Sequence, residues 1–533
     1  MTAGIIQLVA KGREDIFLTR DPQITFYKVV YRRHTNFSQE DIPQYFIQDL
    51  NFGKKATCIL STSGDLINKI CLKITLPEIN NLSLSNTSQA YSDVNKIKFA
   101  WIRKIGFAMI KNIEVEIDGK LIDRHYGEWM YIWSMLTTRN ITDNGINKLI
   151  GDVPELTNFT EHKNEYILYI PLYFWFCRAS GMSLPIVNLQ YSDIKINIEL
   201  YELEKCCIIL PNNSIKCDCN IDNFDKYEYL EQITPDGIYR YGIFSHFDVI
   251  NKRLYYTNIT SEKFLSETQD NDINILPTSQ NSKYNIVGMS SGFVITPTPN
   301  NNTITVHHKP LSDINLVEAI LLVGYVFIDN EERSMLVKTK NDYIVEQLYF
   351  TPNISIGNIN TKVQLNIDQP CKLMVWLSQL DYINDFNDRF NYTNTHVINN
   401  KNSKRSFYDS YDNVNLTTQT QEAGITLIDV TTIRLNSQER LTKRSSMYFE
   451  EIQSLQHSVS KLPKGCQMYS YSLFPTEVAP SGTTNMSQID LIELNLKLNY
   501  EINPDNKAKF RAYALCYNIW RNDSGLSALV FIR

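Results

Sequence analysis

Blocks of positive charge are missing from this chain of 533 residues. Lys and Arg total 52 against 58 Asp and Glu, which leaves a formal net charge of -6 at pH 7, and neither terminus carries a basic run. Proteins that condense a genome neutralise its phosphates with clustered Lys and Arg, and the counterions that are released drive binding. The composition therefore argues against direct binding of nucleic acid.

Long apolar segments are missing as well. Residues 1–7 lack the basic region and the apolar stretch of a secretory signal. No window approaches the roughly 18 uninterrupted apolar residues that a membrane-spanning helix requires. We therefore expect a soluble protein that is made in the cytoplasm.

Cysteine is sparse, with ten in the whole chain, too few for a disulfide scaffold. One cluster, Cys206, Cys207, Cys217 and Cys219, lacks the paired C-x-x-C spacing of a zinc site and has no His nearby. We expect neither a metal site nor a cofactor. The remaining cysteines stand alone in apolar or strand-like surroundings and are predicted to be small buried side chains: Cys58, Cys71, Cys177, Cys371, Cys466 and Cys516.

Motifs for nucleotide binding and catalysis are absent too. No G-x-x-x-x-G-K-[ST] loop or G-x-G-x-x-G turn follows a predicted strand, and no Ser/His/Asp or Cys/His set is visible in the sequence. We interpret Arg32, Arg33 and His34 as a solvated or salt-bridged turn rather than an anion site, and His307 and His308 as loop surface. The chain is therefore not predicted to be an enzyme.

Four tryptophans have two interpretations. They could be platforms on which sugars stack, but aromatic residues flanked by apolar strands are more often part of a core, which we favour. They are Trp129, Trp133, Trp175 and Trp376.

Alternation of apolar and polar residues is the dominant pattern that the chain does contain. It is strict over residues 113–118, where Asp118-Gly119 then predicts a two-residue hairpin turn, and it returns over residues 194–201 and 492–502. Strands with one buried and one solvated face belong in antiparallel sandwiches. The sequence therefore predicts an all-β protein.

Helical patterns are few and short. Trp129, Ile132, Trp133 and Leu136 form one apolar stripe at helical spacing. Asp329 and Glu332 have the spacing of a capping box. We expect short helices between strands.

Length and polar stretches indicate the domain organisation. A chain of 533 residues exceeds what a single core usually organises, so two domains are expected. Residues 206–310 break the strand rhythm with Asn-, Ser- and Thr-rich stretches, and residues 384–420 have the same character. We predict long surface loops at both places.

Eleven segments, distributed in order along the chain, resemble the major capsid proteins of large icosahedral double-stranded DNA viruses. Arg20 departs from a common glycine of that family, and Gln369-Pro370 from a usual His-Pro. The segments are QLVAKG (7–12), DIFLT (15–19), DPQITFYK (21–28), YRRHTNF (31–37), IDRHYGEWM (122–130), PLYFWF (171–176), LPIVNLQY (184–191), YVFIDNEER (325–333), YSLFP (471–475), PSGTTN (480–485) and RAYALCYN (511–518).

The resemblance implies a double jelly roll, that is, two eight-stranded antiparallel β-sandwiches with short inter-strand helices and long surface loops. We place an N-terminal arm at residues 1–25, the first jelly roll at residues 26–310 with its insertion at about 206–310, and the second at residues 311–533 with a loop insertion at about 384–420.

The resemblance also implies a function. Three chains would form a homotrimeric, pseudo-hexagonal capsomer of an icosahedral virion shell, made in the host cytoplasm, with the loops raised as an outward tower. The arm would tie each capsomer to neighbouring capsomers, to minor capsid and penton proteins, or to proteins of the inner membrane layer.

Two other functions stay open. A capsid-like scaffold that shapes the virion membrane, resembling the poxvirus scaffold protein, would share most of these features. A carbohydrate-active β-sandwich enzyme or lectin is the third hypothesis, although the sequence shows no paired-carboxylate signature.

Overall fold

The computed structural model describes most of the chain. The predicted arm lies outside the described residues apart from Ile5 and Asp21, and His307 and His308 lie outside them too. Described are residues 5, 21, 33–80, 97–138, 144–189, 192–219, 223–225, 227–235, 238–259, 262–266, 284–299, 303–306, 314–338, 341–381, 383, 387–394, 425–499, 502, 504, 507–523 and 526–531.

The first 200 residues contain nine of the described strands. They are β1 (Phe37–Tyr45), β2 (Lys55–Ile59), β3 (Leu66–Leu76), β4 (Lys98–Trp101), β5 (Ile110–Ile117), β6 (Lys120–His125), β7 (Tyr166–Pro171), β8 (Leu184–Pro185) and β9 (Ile194–Leu200).

Nine more strands follow, up to residue 328. They are β10 (Cys207–Leu210), β11 (Asn213–Lys216), β12 (Tyr229–Ile233), β13 (Tyr239–Asp248), β14 (Arg253–Asn258), β15 (Ile286–Gly288), β16 (Val294–Ile295), β17 (Ile304–Thr305) and β18 (Glu318–Ile328).

The remaining strands make up the C-terminal part of the chain. They are β19 (Asn341–Ile356), β20 (Asn360–Leu365), β21 (Pro370–Leu380), β22 (Ile428–Leu435), β23 (Gln438–Ser445), β24 (Cys466–Ser470), β25 (Thr484–Asn485), β26 (Ile492–Leu498), β27 (Ala508–Asp523) and β28 (Leu526–Leu529).

Helices are short, and none in the described ranges is long and apolar enough to cross a membrane. The α-helices are α1 (Ile105–Ala108), α2 (Gly127–Thr137), α3 (Asn144–Leu149), α4 (Pro154–Thr157), α5 (Asn330–Lys338) and α6 (Gln453–Gln456). The π-helical turn Tyr448–Ile452 leads directly into α6. The described ranges also contain five 3₁₀ turns: Trp175–Cys177, Ser180–Met182, Ile186–Asn188, Leu203–Lys205 and Met486–Gln488.

Two sandwiches with the same strand order form the body of the molecule. In the first, one sheet has the order β1-β18-β3-β7 and the facing sheet has the order β2-β9-β5-β6. In the second, the sheets are β19-β27-β21-β24 and β20-β26-β22-β23. Each sandwich therefore pairs its first strand with its eighth and its second with its seventh, all antiparallel, and the predicted double jelly roll is confirmed.

The local structures that we predicted from short sequence patterns are present. Asp118 and Gly119 both have positive φ, 53° and 72°, as a two-residue hairpin turn between β5 and β6 requires. The Glu332 N–H donates to Asp329 Oδ1 over 3.0 Å, so Asp329 caps α5. The alternation over residues 492–502 forms a shorter strand than predicted, since β26 ends at Leu498.

The first sandwich extends beyond the boundary that we predicted near residue 310. Strand β18 begins at Glu318, yet it lies between β1 and β3 and pairs with both. The eighth strand of this sandwich, β18, pairs with the first strand, β1. The polar segment that precedes β18 is therefore an insertion within the first sandwich. We place the division between the sandwiches at α5.

Residues 206–310, which we predicted to be a loop-rich elaboration, contain a seven-stranded antiparallel sheet. Its order is β16-β15-β12-β13-β14-β11-β17. A separate apolar cluster that includes Leu230, Phe244, Leu254 and Tyr256 is buried beneath it. Short strands between polar turns gave a weak periodic signal, so the sequence prediction missed this sheet.

The loop insertion predicted at residues 384–420 is in part core. Phe390, Asn391, Tyr392 and Thr393 are all buried, and the aromatic pair belongs to the largest apolar cluster of the molecule. We name residues 387–394 the clasp. The rest of the predicted insertion, from residue 395 onward, lies outside the described residues.

We expect Gly465→Ala to destabilise the protein because the clasp passes close to Gly465. This residue has φ +85°, and a Cβ there would overlap the Tyr392 carbonyl oxygen. Left-handed strain and overlap together should cost about 2–5 kcal/mol of unfolding free energy. Gly292→Ala is the matched control, because Gly292 has φ +67° with open space around its Cβ position. It should cost only about 1–2 kcal/mol. Equal losses for the two variants in urea unfolding would contradict the proposed overlap.

Candidate functional site at the seam between the sandwiches

One continuous apolar core joins the two sandwiches. Leu72, Ile74 and Trp129 of the first sandwich share this cluster with side chains from the sheet of β19, β21 and β27. We name this contact region the seam. The second sandwich contributes to it Leu348, Leu373, Val375, Leu377, Tyr513 and Leu515.

The segment between β6 and α2 supplies directional contacts across the seam. Asp123 is buried at the end of β6 and accepts a 2.9 Å hydrogen bond from the Leu348 N–H of β19. Its other oxygen lies 3.0 Å from His125 Nε2, near enough for an ion pair but without the alignment of a hydrogen bond. The His125 ring stacks on Phe174 at 4.5 Å. Asp123 therefore fixes β19 to the edge of the first sandwich.

Helix α2 begins at Gly127, where two backbone segments are in close contact. A Cβ at Gly127 would overlap the carbonyl oxygen of Phe107, so only glycine fits there. The next residue, Glu128, accepts hydrogen bonds from Arg511 at 2.8 Å and from the Tyr513 hydroxyl at 2.5 Å. Burial, together with the Glu128 charge, raises the pKa of Tyr513 well above its usual value, so this hydroxyl keeps its proton.

A buried group of three charges crosses the seam further along β19. Glu346 is ion-paired to Arg178 of the first sandwich and lies 2.5 Å from Lys372 Nζ of β21. Arg178 also stacks over the Trp133 ring, 4.0 Å from its centroid. Two cations share one carboxylate here, so a charged Lys372 would leave the group with a net positive charge inside the protein.

Burial decides which of these cations keeps its proton. It lowers the pKa of Arg178 only to about 10, so the guanidinium is charged at neutral pH. Burial, reinforced by the neighbouring Arg178 charge, lowers the pKa of Lys372 to about 7. Loss of the Lys372 proton near pH 7 therefore removes the excess positive charge of the group.

The clasp binds the second sandwich to the first at one end of the seam. Arg389 donates to the Ala108 carbonyl at 2.8 Å and to that of Lys205 at 3.2 Å, and it stacks on Tyr201. Asn387 donates to the Glu204 carbonyl at 3.2 Å. Because residues 204 and 205 directly precede the insertion, the clasp and the start of the insertion lie at the same end of the molecule.

A second charge cluster lies beneath the clasp. Asp152 accepts two 3.2 Å hydrogen bonds from Arg103 and lies 3.4 Å from Lys104. Burial by itself would raise the pKa of Asp152, but these two cations hold it well below its usual range. Burial also lowers the pKa of Lys104, against the opposing effect of Asp152.

A groove of about 520 Å³ remains between the clasp and the two sandwiches. Among its lining residues Glu128 is the one carboxylate, and Arg511 already pairs with it. No His, Cys, Ser or Asp side chain is among them. The groove therefore lacks the paired carboxylates of a glycosidase and the Ser/His or Cys/His pair of a nucleophilic hydrolase.

The residues that the sequence singled out lie apart. Cys206 and Cys207 belong to the core of the first sandwich, whereas Cys217 belongs to the insertion, so the cluster does not converge. Burial raises the pKa of Cys206 and Cys217 to about 12. Arg33 and His34 are exposed, and Arg32 lies outside the described residues.

The other predicted core residues are mostly confirmed. All four tryptophans that we assigned to the core are buried. Of the isolated cysteines, Cys71 and Cys177 are half-buried and the other four are buried.

Sequence reasoning missed the charged residues of the seam. Lys372 interrupts the apolar run of β21, and Glu346 follows Ile344 and Val345 in β19. A single charge inside an apolar strand is a signal for a buried ion pair, since an unpaired charge is rarely buried. The signal does not identify the partner, because Arg178 is 168 residues from Glu346.

Two family patterns match the chain. Residues 25–234 match the family described as "Major capsid protein N-terminus". Residues 332–528 match the family described as "Large eukaryotic DNA virus major capsid protein".

Curated relatives match over their full length. A probable capsid protein 4 of Acanthamoeba polyphaga mimivirus is 39% identical over 536 residues, covering 100% of this chain and 99% of that protein. The major capsid protein of Phaeocystis pouchetii virus is 29% identical over 615 residues, with 100% of both chains covered. These relatives are structural proteins rather than enzymes.

Solved structures share the fold. The quasi-atomic PBCV-1 virus capsid matches with a TM-score of 0.60 at 21% identity, covering 96% of this chain and 100% of that one. The Faustovirus major capsid protein matches with a TM-score of 0.60 at 10% identity, covering 96% and 94%.

We expect Glu346→Ala to destabilise the protein strongly, because it leaves Arg178 and Lys372 buried without their carboxylate. Breaking one partner of a buried ion pair should cost about 3–5 kcal/mol of unfolding free energy. Asp342→Ala, in the same strand, removes the half-exposed partner of Arg521 and is the matched control. It should cost under about 1 kcal/mol. Similar urea midpoints for the two variants would contradict the role of the buried group.

We expect the stability of the wild-type protein to rise with pH relative to Lys372→Met. In the unfolded chain the pKa of Lys372 returns to about 10.4. Between about pH 7 and pH 10 the unfolded state therefore binds more protons than the folded state, and the penalty on the folded state is relieved as pH rises. Melting temperatures of both proteins at pH 7, 8 and 9, at one protein concentration, measure this difference. A difference that stays constant with pH would show that Lys372 does not titrate in this range.

Proposed function

Because this chain belongs to the family of large eukaryotic DNA virus major capsid proteins, we propose that three copies associate as a homotrimeric capsomer with a pseudo-hexagonal outline. The chain is a structural protein of the virion shell, not an enzyme. In the proposed arrangement many such capsomers tile the facets of an icosahedral capsid.

The seam is the observation that carries this proposal. It joins two sandwiches of equal strand order through a shared apolar core, so each chain is one rigid block with two similar halves. Three blocks place six similar sandwiches around one axis, which approximates a hexagon. A hexagon tiles a plane, whereas a pair of loosely linked domains would not present a constant outline.

The position of the insertion supports an orientation for the block. The clasp and the insertion lie at the same end of the sandwiches, so chain elaborations are concentrated there. Loops at the solvent side of a lattice can vary without disturbing the contacts between capsomers. We place this end outward, as a tower, and the opposite end toward the interior of the virion.

The partners that we propose are neighbouring capsomers, minor capsid proteins, penton proteins and proteins of the inner membrane layer. Residues 1–25, proposed to reach these partners from below, lie outside the described residues apart from Ile5 and Asp21. Direct contact with nucleic acid is not part of the proposal, because the net charge of -6 would repel phosphates. Synthesis is placed in the host cytoplasm.

A scaffold that shapes the virion membrane and is later discarded is the alternative function. The relatives are named as capsid proteins, which favours a shell component. Mass spectrometry of purified virions separates the two, since a shell protein is abundant in mature particles and a discarded scaffold is not.

We expect the intact protein and a variant that starts at Thr25 both to have the mass of a trimer in light scattering at micromolar concentration. An obligate interface buries roughly 2,000 Å² or more, which a short arm outside both sandwiches does not supply. The truncated trimers should fail to assemble into larger arrays, because the arm is proposed to connect capsomers. A monomeric intact protein would contradict the trimer, and a monomeric truncated protein alone would contradict the role given to the arm.

A further inference from the structure

The two sandwiches repeat each other in detail beyond strand order. After β7, the Leu172 N–H donates to the Ile70 carbonyl of the third strand over 3.0 Å. After β24, the Tyr471 N–H donates to the Lys372 carbonyl of the equivalent strand over 2.9 Å. Next, β8 and β25 each pair with the start of that third strand, and each is followed by a 3₁₀ turn. The residues directly after Leu172 and Tyr471 can therefore be matched.

Matched residues differ sharply in burial. Phe174 and Trp175, two and three positions after Leu172, are buried. Leu473 and Phe474, at the same positions after Tyr471, are 67% and 52% exposed. The turn Trp175–Cys177 contacts β19 of the second sandwich, whereas in the described chain nothing covers Leu473 and Phe474.

The helices that follow the fifth strand of each sandwich, β6 in the first and β23 in the second, show the same contrast. Helix α2 follows β6 and places Trp129 against Tyr513 of the second sandwich, with ring centroids 5.6 Å apart. The helical segment that follows β23 ends in α6, where Leu455 is 82% exposed. His457 Nδ1 lies 3.0 Å from the Leu473 carbonyl, which brings Leu473 close to the end of α6. We name Leu455, Leu473 and Phe474 the apolar patch.

The surface that receives α2 also has a counterpart. Cys71 and Leu373 are matched, because they pair with Pro171 and Ser470 at the ends of the sixth strands. The strand pairing leads from each of these two residues to the first strand of its own sandwich. Two residues further along that strand, Tyr45 in the first sandwich matches Phe350 in the second. In the seam Phe350 contacts Tyr126, with ring centroids 4.4 Å apart.

In the described part of the first sandwich this face is exposed around Tyr45. Tyr45, matched to the covered Phe350, is 69% exposed. Tyr45 lies in register with Ile320, Lys73 and Tyr169 across β1, β18, β3 and β7, so these side chains share one face of the sheet. We name the surface around Tyr45 and Tyr169 the receiving face.

We infer that a second copy of this chain completes the repeat, with the apolar patch of one copy packed on the receiving face of the next. The inference rests on the proposed homotrimer and names its contact surfaces. Patch and face lie on different sandwiches, so the contact is heterologous, and the proposed trimer requires that it closes into a ring after three copies. In a ring of three chains, seams within a chain would alternate with similar seams between chains. Exposed apolar clusters of this kind are typical of protein interfaces.

Cross-linking of the full chain tests which surfaces meet. The variant carries Tyr45→Cys and Leu473→Cys, with Cys71→Ser to remove the half-buried native thiol on the receiving face. A short bismaleimide should give covalent species of two and three chains on a denaturing gel. Each single cysteine variant in the same background is the control and should give none.

Charge insertion tests whether the patch holds the trimer. Leu455→Asp combined with Leu473→Asp should reduce the mass in light scattering from three chains to one, with the melting of the monomer still cooperative. Ile250→Asp is the matched control, since Ile250 is a 92% exposed aliphatic side chain in the turn between β13 and β14. It should leave the trimer intact.

The outcomes separate this inference from the proposed function. If the wild-type protein is a trimer, the charged double variant is also a trimer and no cross-link forms, the surface assignment is wrong and the trimer proposal stands. If the wild-type protein is a monomer, both are overturned. Cross-linked trimers together with a monomeric charged variant support the inference.

Discussion

The apolar contact between the sandwiches is the constraint on which the rest of the structure depends. A sheet in a sandwich normally buries one face, but the sheet of β19, β27 and β21 buries both. Met374 and Trp376 point into the core of the second sandwich, while Leu373 and Val375 belong to the core shared with the first. Neither sandwich can therefore turn relative to the other without exposing apolar surface to water.

Apolar contact alone would allow the two sandwiches to slide, because it has no preferred direction. The polar groups in the seam supply direction: Asp123 holds the Leu348 amide, Glu128 holds Tyr513, and Glu346 is held between Arg178 and Lys372. Buried ion pairs add little net stability over apolar residues of similar size, although the loss of one partner is costly. We infer that their contribution here is to select one register between the two sandwiches.

The same fold occurs twice in the chain with different surroundings. The outer sheet face of the second sandwich is covered by the first, whereas the matching face of the first is open around Tyr45. This difference is visible in the strands themselves. In the matched first strands, Val345 to Leu348 of β19 are all buried, whereas no residue of β1 is buried and most are exposed. One chain therefore contains a complete contact, the seam between its own two sandwiches. It also carries the two surfaces of a second contact, the apolar patch and the receiving face, which do not meet within the chain.

Short-range patterns in the sequence were enough to predict the class of fold and several local structures. Alternation predicted strands, Asp118-Gly119 predicted a hairpin, and Asp329 predicted a helix start, because each depends on neighbouring residues alone. The eighth strand of the first sandwich, the buried part of the clasp and the partners of Glu346 were decided only by the tertiary structure. Arg178 is 168 residues from Glu346 along the chain, and Arg389 is 281 residues from the Ala108 carbonyl that it binds. Such contacts follow from how two sandwiches pack, and no periodicity within either strand records which surface its neighbour will cover.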